Sequence, residues 1–278
     1  MKREMIRRRD VEPKPGAVVE PRDGGVQSVD RALLILETLA EDDDGYRLSD
    51  LAVRTGLSTS TAHRLLTTLE KRRFVQFDQT SSKWHVGAQS FAVGATFTRR
   101  KNFVAQAIPY LRKLRDQTRE TANLAVVDDE TLMLLVRLES REITRSVTKV
   151  GGRVAMVASG IGKAVLATYS DADVAAIIHR HGMPHLTAKS IVRAGELFKE
   201  LQAIRRQGYA VDDEEARIGL RCVAAVVYND CAEPLAAVSI SGLTSRITDA
   251  RLPDFGNAVR AAAAELTLAL GGVMPPQN

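Results

Sequence analysis

Cysteine is nearly absent from this chain: Cys222 and Cys231 are the two thiols in 278 residues. Two cysteines cannot build a disulfide scaffold, and they fit a reducing cytosol. Long apolar runs are missing too. None approaches the roughly 20 residues that span a bilayer, which excludes an integral membrane protein. The basic start MKREMIRRRD has no apolar stretch behind it, so no secretory signal is expected and the location is cytoplasmic. There is no internal repeat. Charge of one sign is only slightly in excess, with 39 Lys plus Arg against 34 Asp plus Glu and a net +5. That total alone leaves nucleic acid as one option among several. What is present is 45% hydrophobic residues, too many for a mainly disordered chain, and length enough for two domains.

Residues 1–25 carry Arg7, Arg8 and Arg9, three prolines and no apolar periodicity, and read as a basic disordered tail. Val29, Ala32, Leu33, Leu36 and Ala40 recur at helical spacing up to an acidic stop, Asp42-Asp43-Asp44-Gly45. Ser49 is placed to cap a short helix over 50–54, and Thr55-Gly56-Leu57 makes a tight turn. Ser58 caps the next helix, with Ala62, Leu65, Leu66 and Leu69 as its buried stripe. Its other side collects Thr59, Ser60, His63, Arg64 and Thr67. Two strand-like runs, 74–77 and 84–86, then flank a turn, with Lys83 at the expected tip. Helix, glycine turn, helix, hairpin is a winged helix-turn-helix pattern. An ordinary helical hairpin with a wet polar face gives the same spacing. The charge favours DNA: residues 54–73 hold Arg54, Arg64, Lys71, Arg72 and Arg73 against Glu70. The residues expected at DNA are Ser58, Thr59, Ser60, Thr61, His63, Arg64, Thr67 and Lys83.

A helix over 88–100 reads as a connector, and a second amphipathic stretch follows Asn102, with Pro109 marking a break. From Ala122 the texture is α+β: strands at 122–127, 131–138, 145–150, 222–228 and 235–241, helices at 162–168, 172–181, 193–207 and 253–270. Three features there suggest a pocket for a small anion. Ser159-Gly160-Ile161-Gly162 runs straight into a helix, presenting backbone N–H groups. A hairpin turning near Cys231 and Ala232 sets Cys222 opposite Ser241 and Ala224 opposite Ser239. Cys222, Ser239 and Ser241 then share one face, and Val223, Val227, Val238 and Ile240 fill the other. Asp212-Asp213-Glu214-Glu215 lies just upstream. Each feature has a plainer account: close-packing glycines, a small core cysteine, a solvated acidic run. Histidines 179, 181 and 185 resemble a metal cluster only loosely, and no metal or cofactor is expected. Cys222 or the Asp212–Asp213 pair is also the material for a small-acid enzyme, but no histidine is placed beside Cys222.

Four segments carry a resemblance: VQSVDRALLILETLAE, LSDLAVRTGLSTSTAHRLLTTLEKRRFV, SGIGKAVLA and GYAVDDEEARIGLRCVAAVVYNDCAEPLAAVSISGLTSRI. Together they resemble the IclR family of transcription regulators over about 26–272. The similarity is strongest to glyoxylate-responsive members, of the acetate-operon repressor and β-hydroxyaspartate-cycle types. The resemblance implies a winged helix-turn-helix over 26–87, a linker helix over 88–101 used in dimerisation, and a GAF/PAS-like effector domain over 102–272, with 273–278 as a tail. It implies no catalysis, and a homodimer or dimer of dimers on palindromic operator DNA. By the same resemblance Gly160 and the Ile161 amide hold an effector carboxylate, and Asp212, Cys222, Ser239 and Ser241 contact its other oxygens. The effector implied is glyoxylate or a related 2-oxo acid, with a pyruvate-like or hydroxy acid as the alternative. Ile161 and Ser146 depart from the acetate-operon type, which has Ala and Met there.

Overall fold

The computed structural model describes residues 25–99, 103–140 and 148–275. The expected basic tail, all but its last residue, and Ser146 lie outside the described residues. The chain divides into two compact units between Thr98 and Arg99.

In the first unit, α1 (Gln27–Ala40), α2 (Leu48–Thr55) and α3 (Thr59–Lys71) precede a hairpin of β1 (Val75–Asp78) and β2 (Lys83–Val86) and then α4 (Ala88–Arg99). Ile35, Leu39, Tyr46, Leu51, Leu66, Val75 and Trp84 form its core, so one residue or more from each of three helices and both strands meets there. Tyr46 adds a bridge to Trp84 at the wing. Gly56 ends α2 with φ +66°, as the turn between the two helices requires. Three expectations change. The α1 stripe is rotated: Val29 and Leu33 are exposed, while Ile35 and Leu39 are buried, because the α2 and α3 contacts select that side. Ser49 is not the cap of α2, which starts one residue earlier at Leu48 behind Arg47; its hydroxyl donates to Asp50 instead. Lys83 is not at the hairpin tip but pairs with Asp78 to close it, the tip being 79–82.

The second unit is a six-stranded antiparallel sheet, in the order β5-β4-β3-β8-β7-β6, with helices on both faces. Its strands are β3 (Thr121–Asp128), β4 (Thr131–Leu138), β5 (Arg153–Val154), β6 (Ala210–Asp213), β7 (Leu220–Tyr228) and β8 (Pro234–Leu243). On one face α5 (Phe103–Thr118) and α9 (Leu252–Ala269) cover Val223, Val227, Val238 and Ile240. On the other lie α6 (Gly160–Leu166), α7 (Asp171–His181) and α8 (Ala194–Gln207). Ala125, Ala210, Ala224 and Ala237 are fully buried beneath them, and these short side chains let α6 approach the strands closely.

Pro109 lies inside α5 and does not break it. Ala107, Leu111 and Leu114 are buried on both sides of it, and that burial outweighs the lost hydrogen bond. The strand expected over 145–150 is not found where it is described: 148–150 lie outside any strand, and the edge strand is β5. Gly151 and Gly152 make the turn that sets it, with the Gly151 N–H donating to the Leu134 carbonyl at 2.7 Å. The acidic run contains a strand of its own, β6, which pairs with β7.

Candidate functional site

Two polar surfaces stand out, one in each unit. In the first, Ser58 caps α3 as expected, its Oγ accepting from the Thr61 N–H at 3.2 Å and donating to Thr61 Oγ1 at 2.8 Å. Thr59, Ser60, His63 and Arg64 are exposed on α3, and Thr61 and Thr67 are half-buried. Thr67 Oγ1 donates back to the His63 carbonyl at 2.9 Å, so its hydroxyl is already engaged. The exposed face is therefore led by the first turn of α3 and Arg64, with Lys71, Arg72 and Arg73 exposed at its far end. Lys83 is half-buried on the wing.

The second surface is a recess in the sheet. Strand pairing lays two rows of side chains across the sheet. One runs Thr121, Ser241, Cys222, Asp212; the other runs Arg137, Asn123, Ser239, Ala224, Ala210. The registers Cys222–Ser241 and Ala224–Ser239 are those expected from the sequence. A cavity of about 310 Å³ opens over these rows, lined by Ile161, Asp212, Cys222, Ser239 and Ser241 among others. Gly160 sits against its wall. A Cβ there would stand 3.0 Å from the Cys222 carbonyl oxygen, 3.2 Å from Cys222 Sγ and 3.4 Å from the Asp212 nitrogen. All six candidate residues thus come together. Gly162 has the plainer role: a Cβ would stand 2.1 Å from the Met156 carbonyl oxygen, so it is a close-packing glycine.

Hydrogen bonding orders this site. Ser159 caps α6, its Oγ accepting from the Gly162 N–H at 2.9 Å. Asn123 Nδ2 donates to Ser239 Oγ at 3.2 Å and to Ser241 Oγ at 3.0 Å, fixing both hydroxyls. Burial pushes the Cys222 thiol up to about 12, against the Ser239 and Ile161 N–H contacts that favour a thiolate. A thiol raised in this way is poorly suited to act as a nucleophile. Asp212 Oδ1 accepts from the Glu215 N–H at 2.8 Å and the Ala216 N–H at 3.3 Å. Burial still raises its carboxyl above the ordinary range, with those bonds and Lys163 acting in the other direction.

Below the cavity lies a charged cluster that the sequence did not reveal. Every residue of α6 is buried, Lys163 included. Its Nζ contacts Glu215 Oε1 closely and Glu200 Oε1 at 3.3 Å. Glu215 Oε2 is buried without a hydrogen-bond partner, and burial raises that carboxyl as well. The acidic run is thus mostly not a wet face: Asp212 and Glu215 are buried, while Asp213 and Glu214 are paired with Lys189, and Asp213 with Arg221 also. His181, one of the three loosely grouped histidines, meets Glu130 at 3.0 Å on an exposed surface. Asn123 and Arg137 also escaped the sequence reading. The available signal was a polar residue interrupting each apolar strand, at Asn123 within 122–127 and at Arg137 within 131–138.

A winged helix with a basic, hydroxyl-rich face, and a second unit with a cavity crossed by polar side chains, define a class: a DNA-binding protein answering to a small molecule. The comparisons with known proteins give the family. Residues 28–79 match the IclR helix-turn-helix domain and residues 95–268 the bacterial transcriptional regulator IclR C-terminal domain. The chain is 42% identical over 261 residues to the acetate operon repressor of Salmonella typhimurium, covering 93% of this chain and 95% of that protein. It is 41% identical over 262 residues to the transcriptional repressor IclR of Escherichia coli, covering 94% and 96%. A solved IclR transcriptional regulator from Alicyclobacillus acidocaldarius superposes with TM-score 0.77 at 25% identity, covering 89% of this chain and all of that one. The chain belongs to the IclR family of bacterial transcriptional regulators, and it is a regulator, not an enzyme. Among the described residues no helix is long and apolar enough to cross a membrane.

Proposed function

We propose that the chain is a cytoplasmic, nucleoid-associated regulator whose operator affinity is set by a small 2-oxo acid, glyoxylate being the first candidate, bound in the cavity of the second unit. The observation that carries this reading is the meeting of Gly160, Ile161, Asp212, Cys222, Ser239 and Ser241 around one cavity. The amides of Gly160 and Ile161 receive the carboxylate. Ser239, Ser241 and the neutral Cys222 thiol surround the carbonyl or its hydrate. Asp212, raised by burial, donates a proton or accepts from the hydrated aldehyde, so it does not repel the anion. The resemblance to glyoxylate-responsive members supports the same effector. A pyruvate-like or hydroxy acid uses the same donors and is the second candidate.

On the DNA side, Ser58, Thr59, Ser60, Thr61, His63, Arg64 and Thr67 of the α3 region read the major groove, and Lys83 meets phosphate from the wing. The active form is a homodimer or a dimer of dimers. In support, α4 exposes Phe91 and Val93, and α1 exposes Val29 and Leu33, apolar surface that a second copy would cover. The effector shifts the balance between assemblies that space the recognition helices differently.

The test is a footprint of the full chain on its own promoter region, titrated with glyoxylate at two salt concentrations. Salt-sensitive binding that glyoxylate perturbs is expected, with the response lost and DNA binding kept in Ser239→Ala and Asp212→Ala. An unchanged response in both variants would sink the pocket.

A further inference from the structure

Asn123 stands in the middle of a buried strand, β3, and its amide nitrogen is fully engaged. Nδ2 carries two hydrogens, one directed at Ser239 Oγ at 3.2 Å and the other at Ser241 Oγ at 3.0 Å. The sheet sets this geometry. Asn123 pairs with Ser239 across β3 and β8, and Ser241 is the next residue on the same side of β8. Asn123 and Ser239 are both buried, which keeps bulk water from competing for the bond between them.

The direction of these bonds matters more than their number. A serine hydroxyl has one hydrogen and two lone pairs. Where the amide donates, a lone pair is taken and the hydroxyl hydrogen has to point elsewhere. An amide oxygen facing the serines would do the opposite, taking both hydrogens and leaving the lone pairs over.

What stands on the other side of Asn123 favours the first arrangement. The β3–β4 register shifts between Leu124 and Ala125, so Leu135 has no partner on β3 and Arg137 comes opposite Asn123, on the cavity side. A guanidinium carries donors and no acceptor. With the amide nitrogen toward β8 and the amide oxygen toward β4, each end of the side chain faces its complement. A flipped amide would set donor against donor.

The serine hydrogens are thereby left to the cavity, which both residues line. Among the described residues, neither hydroxyl donates to an oxygen or nitrogen. Ser239 meets Cys222 Sγ, a weak acceptor that a carbonyl oxygen displaces, and the Ile161 N–H reaches the same thiol. This part of the recess therefore presents hydrogens, two from hydroxyls and one from the backbone. An oxygen with lone pairs and no hydrogen of its own fits there, and a carbonyl oxygen accepts two such bonds at once. A ligand hydroxyl at the same point lends its lone pairs but brings a further hydrogen among donors, and an unmet polar hydrogen is costly.

We infer that Asn123 is the positioning residue that fixes the polarity of the effector site: by donating to Ser239 and Ser241 it turns both hydroxyls into donors toward the ligand, and so selects a 2-oxo acid over the 2-hydroxy acid of the same carbon skeleton. This rests on the reading of the cavity as a small-acid site.

The test is calorimetric titration of the full chain with acids that differ at carbon 2 alone: pyruvate against both enantiomers of lactate, and 2-oxobutyrate against both enantiomers of 2-hydroxybutyrate. Ketones are used because, unlike an aldehyde, they stay largely unhydrated in water. Each oxo acid is expected to bind at least about tenfold tighter than its hydroxy partners. In Asn123→Asp the carboxylate accepts from both serines and turns their lone pairs to the cavity. Its charge weakens both members of a pair alike, so the affinity ratio isolates the polarity, and that ratio is expected to fall by at least about tenfold. Asn123→Ala frees the hydroxyls to turn and brings the ratio close to one. A ratio unchanged in these variants while both affinities fall would mean that Asn123 only fills space, and would overturn the inference. Equal binding of oxo and hydroxy acids by the unaltered chain would do the same. Should Asn123→Asp fail to fold, Asn123→Ala decides; should both fail, the pairs on the unaltered chain decide. The two readings fail differently. Oxo and hydroxy acids bound equally, and both lost in Ser239→Ala, remove the role of Asn123 and keep the small-acid site. No binding by any of these acids removes that site, and the inference with it.

Discussion

The polar faces of α3 and of the six-stranded sheet are built from the same residue types, serine, threonine and arginine, under opposite conditions. On α3 the hydroxyls stand in water and bond to their own helix: Ser58 to Thr61, Thr67 and Thr68 to carbonyls one turn back. Across the sheet, Ser239 and Ser241 are tied to Asn123 on another strand, and Asp212 to a loop three residues on. Removing a group from α3 therefore leaves a folded protein that reads DNA less well. Removing one from the cavity leaves its partners buried and unmet, and costs stability as well as ligand. Exposure, not residue type, decides which.

That contrast can be broken at several points. The largest effect is expected at Lys163→Met, which strands Glu215 beside Glu200 without their cation. Losing one partner of a buried pair costs about 3–5 kcal/mol, to be read from urea unfolding of the full chain. A loss under about 1 kcal/mol would mean the cluster is neutralised by protonation. Ser239→Ala should follow, at about 1–3 kcal/mol, because Asn123 Nδ2 loses an acceptor; effector affinity falls with it. Ser58→Ala removes the α3 cap and should cost about 1 kcal/mol, while Arg64→Ala should leave stability within about 0.5 kcal/mol and lower the salt slope of operator binding by about one. If Arg64→Ala destabilised the fold as much as Ser239→Ala, the division between the two faces would not hold.

The smallest expected effect separates neighbouring carboxylates. Burial raises Asp212, so its contribution to stability is complete below its unfolded pKa and is lost as pH rises through the folded value. The Arg221 hydrogen bond holds Asp213 below its ordinary range, so its contribution is present above the unfolded pKa and is lost as pH falls through the lowered value. Asp212→Asn should flatten the loss on the alkaline side of the carboxylate range, and Asp213→Asn the loss on the acid side, in urea midpoints taken across pH. Effector affinity should rise as pH falls, through Asp212 with Lys163 and Glu215 beside it, and Asp212→Asn should abolish that slope.

Much of the site was legible along the chain. The turn around Cys231 set the β7–β8 register, and the register put Cys222, Ser239 and Ser241 on one face, because side chains alternate with period two. Ser58, Gly56 and the α3 stripe followed from equally local rules. Where local rules misled, packing had the stronger claim. Burial on both sides of Pro109 kept α5 whole, and contacts with α2 and α3 chose which side of α1 turned inward.

The acidic run shows the same limit. Nothing in Asp212-Asp213-Glu214-Glu215 says that two members are buried and two paired at the surface; the position of α6, with Lys163 inside it, decides that. Sequence by itself determined the two units, their order, the α3 face and the shared side of Cys222, Ser239 and Ser241, since each depends on spacing within one segment or one hairpin. The tertiary structure alone decided that Asn123 joins the two serines, that Lys163 is buried against Glu215, and that one unpaired residue at Leu135 turns Arg137 into the cavity. Those depend on which strand lies beside which, and pairing between distant segments leaves no period in the sequence.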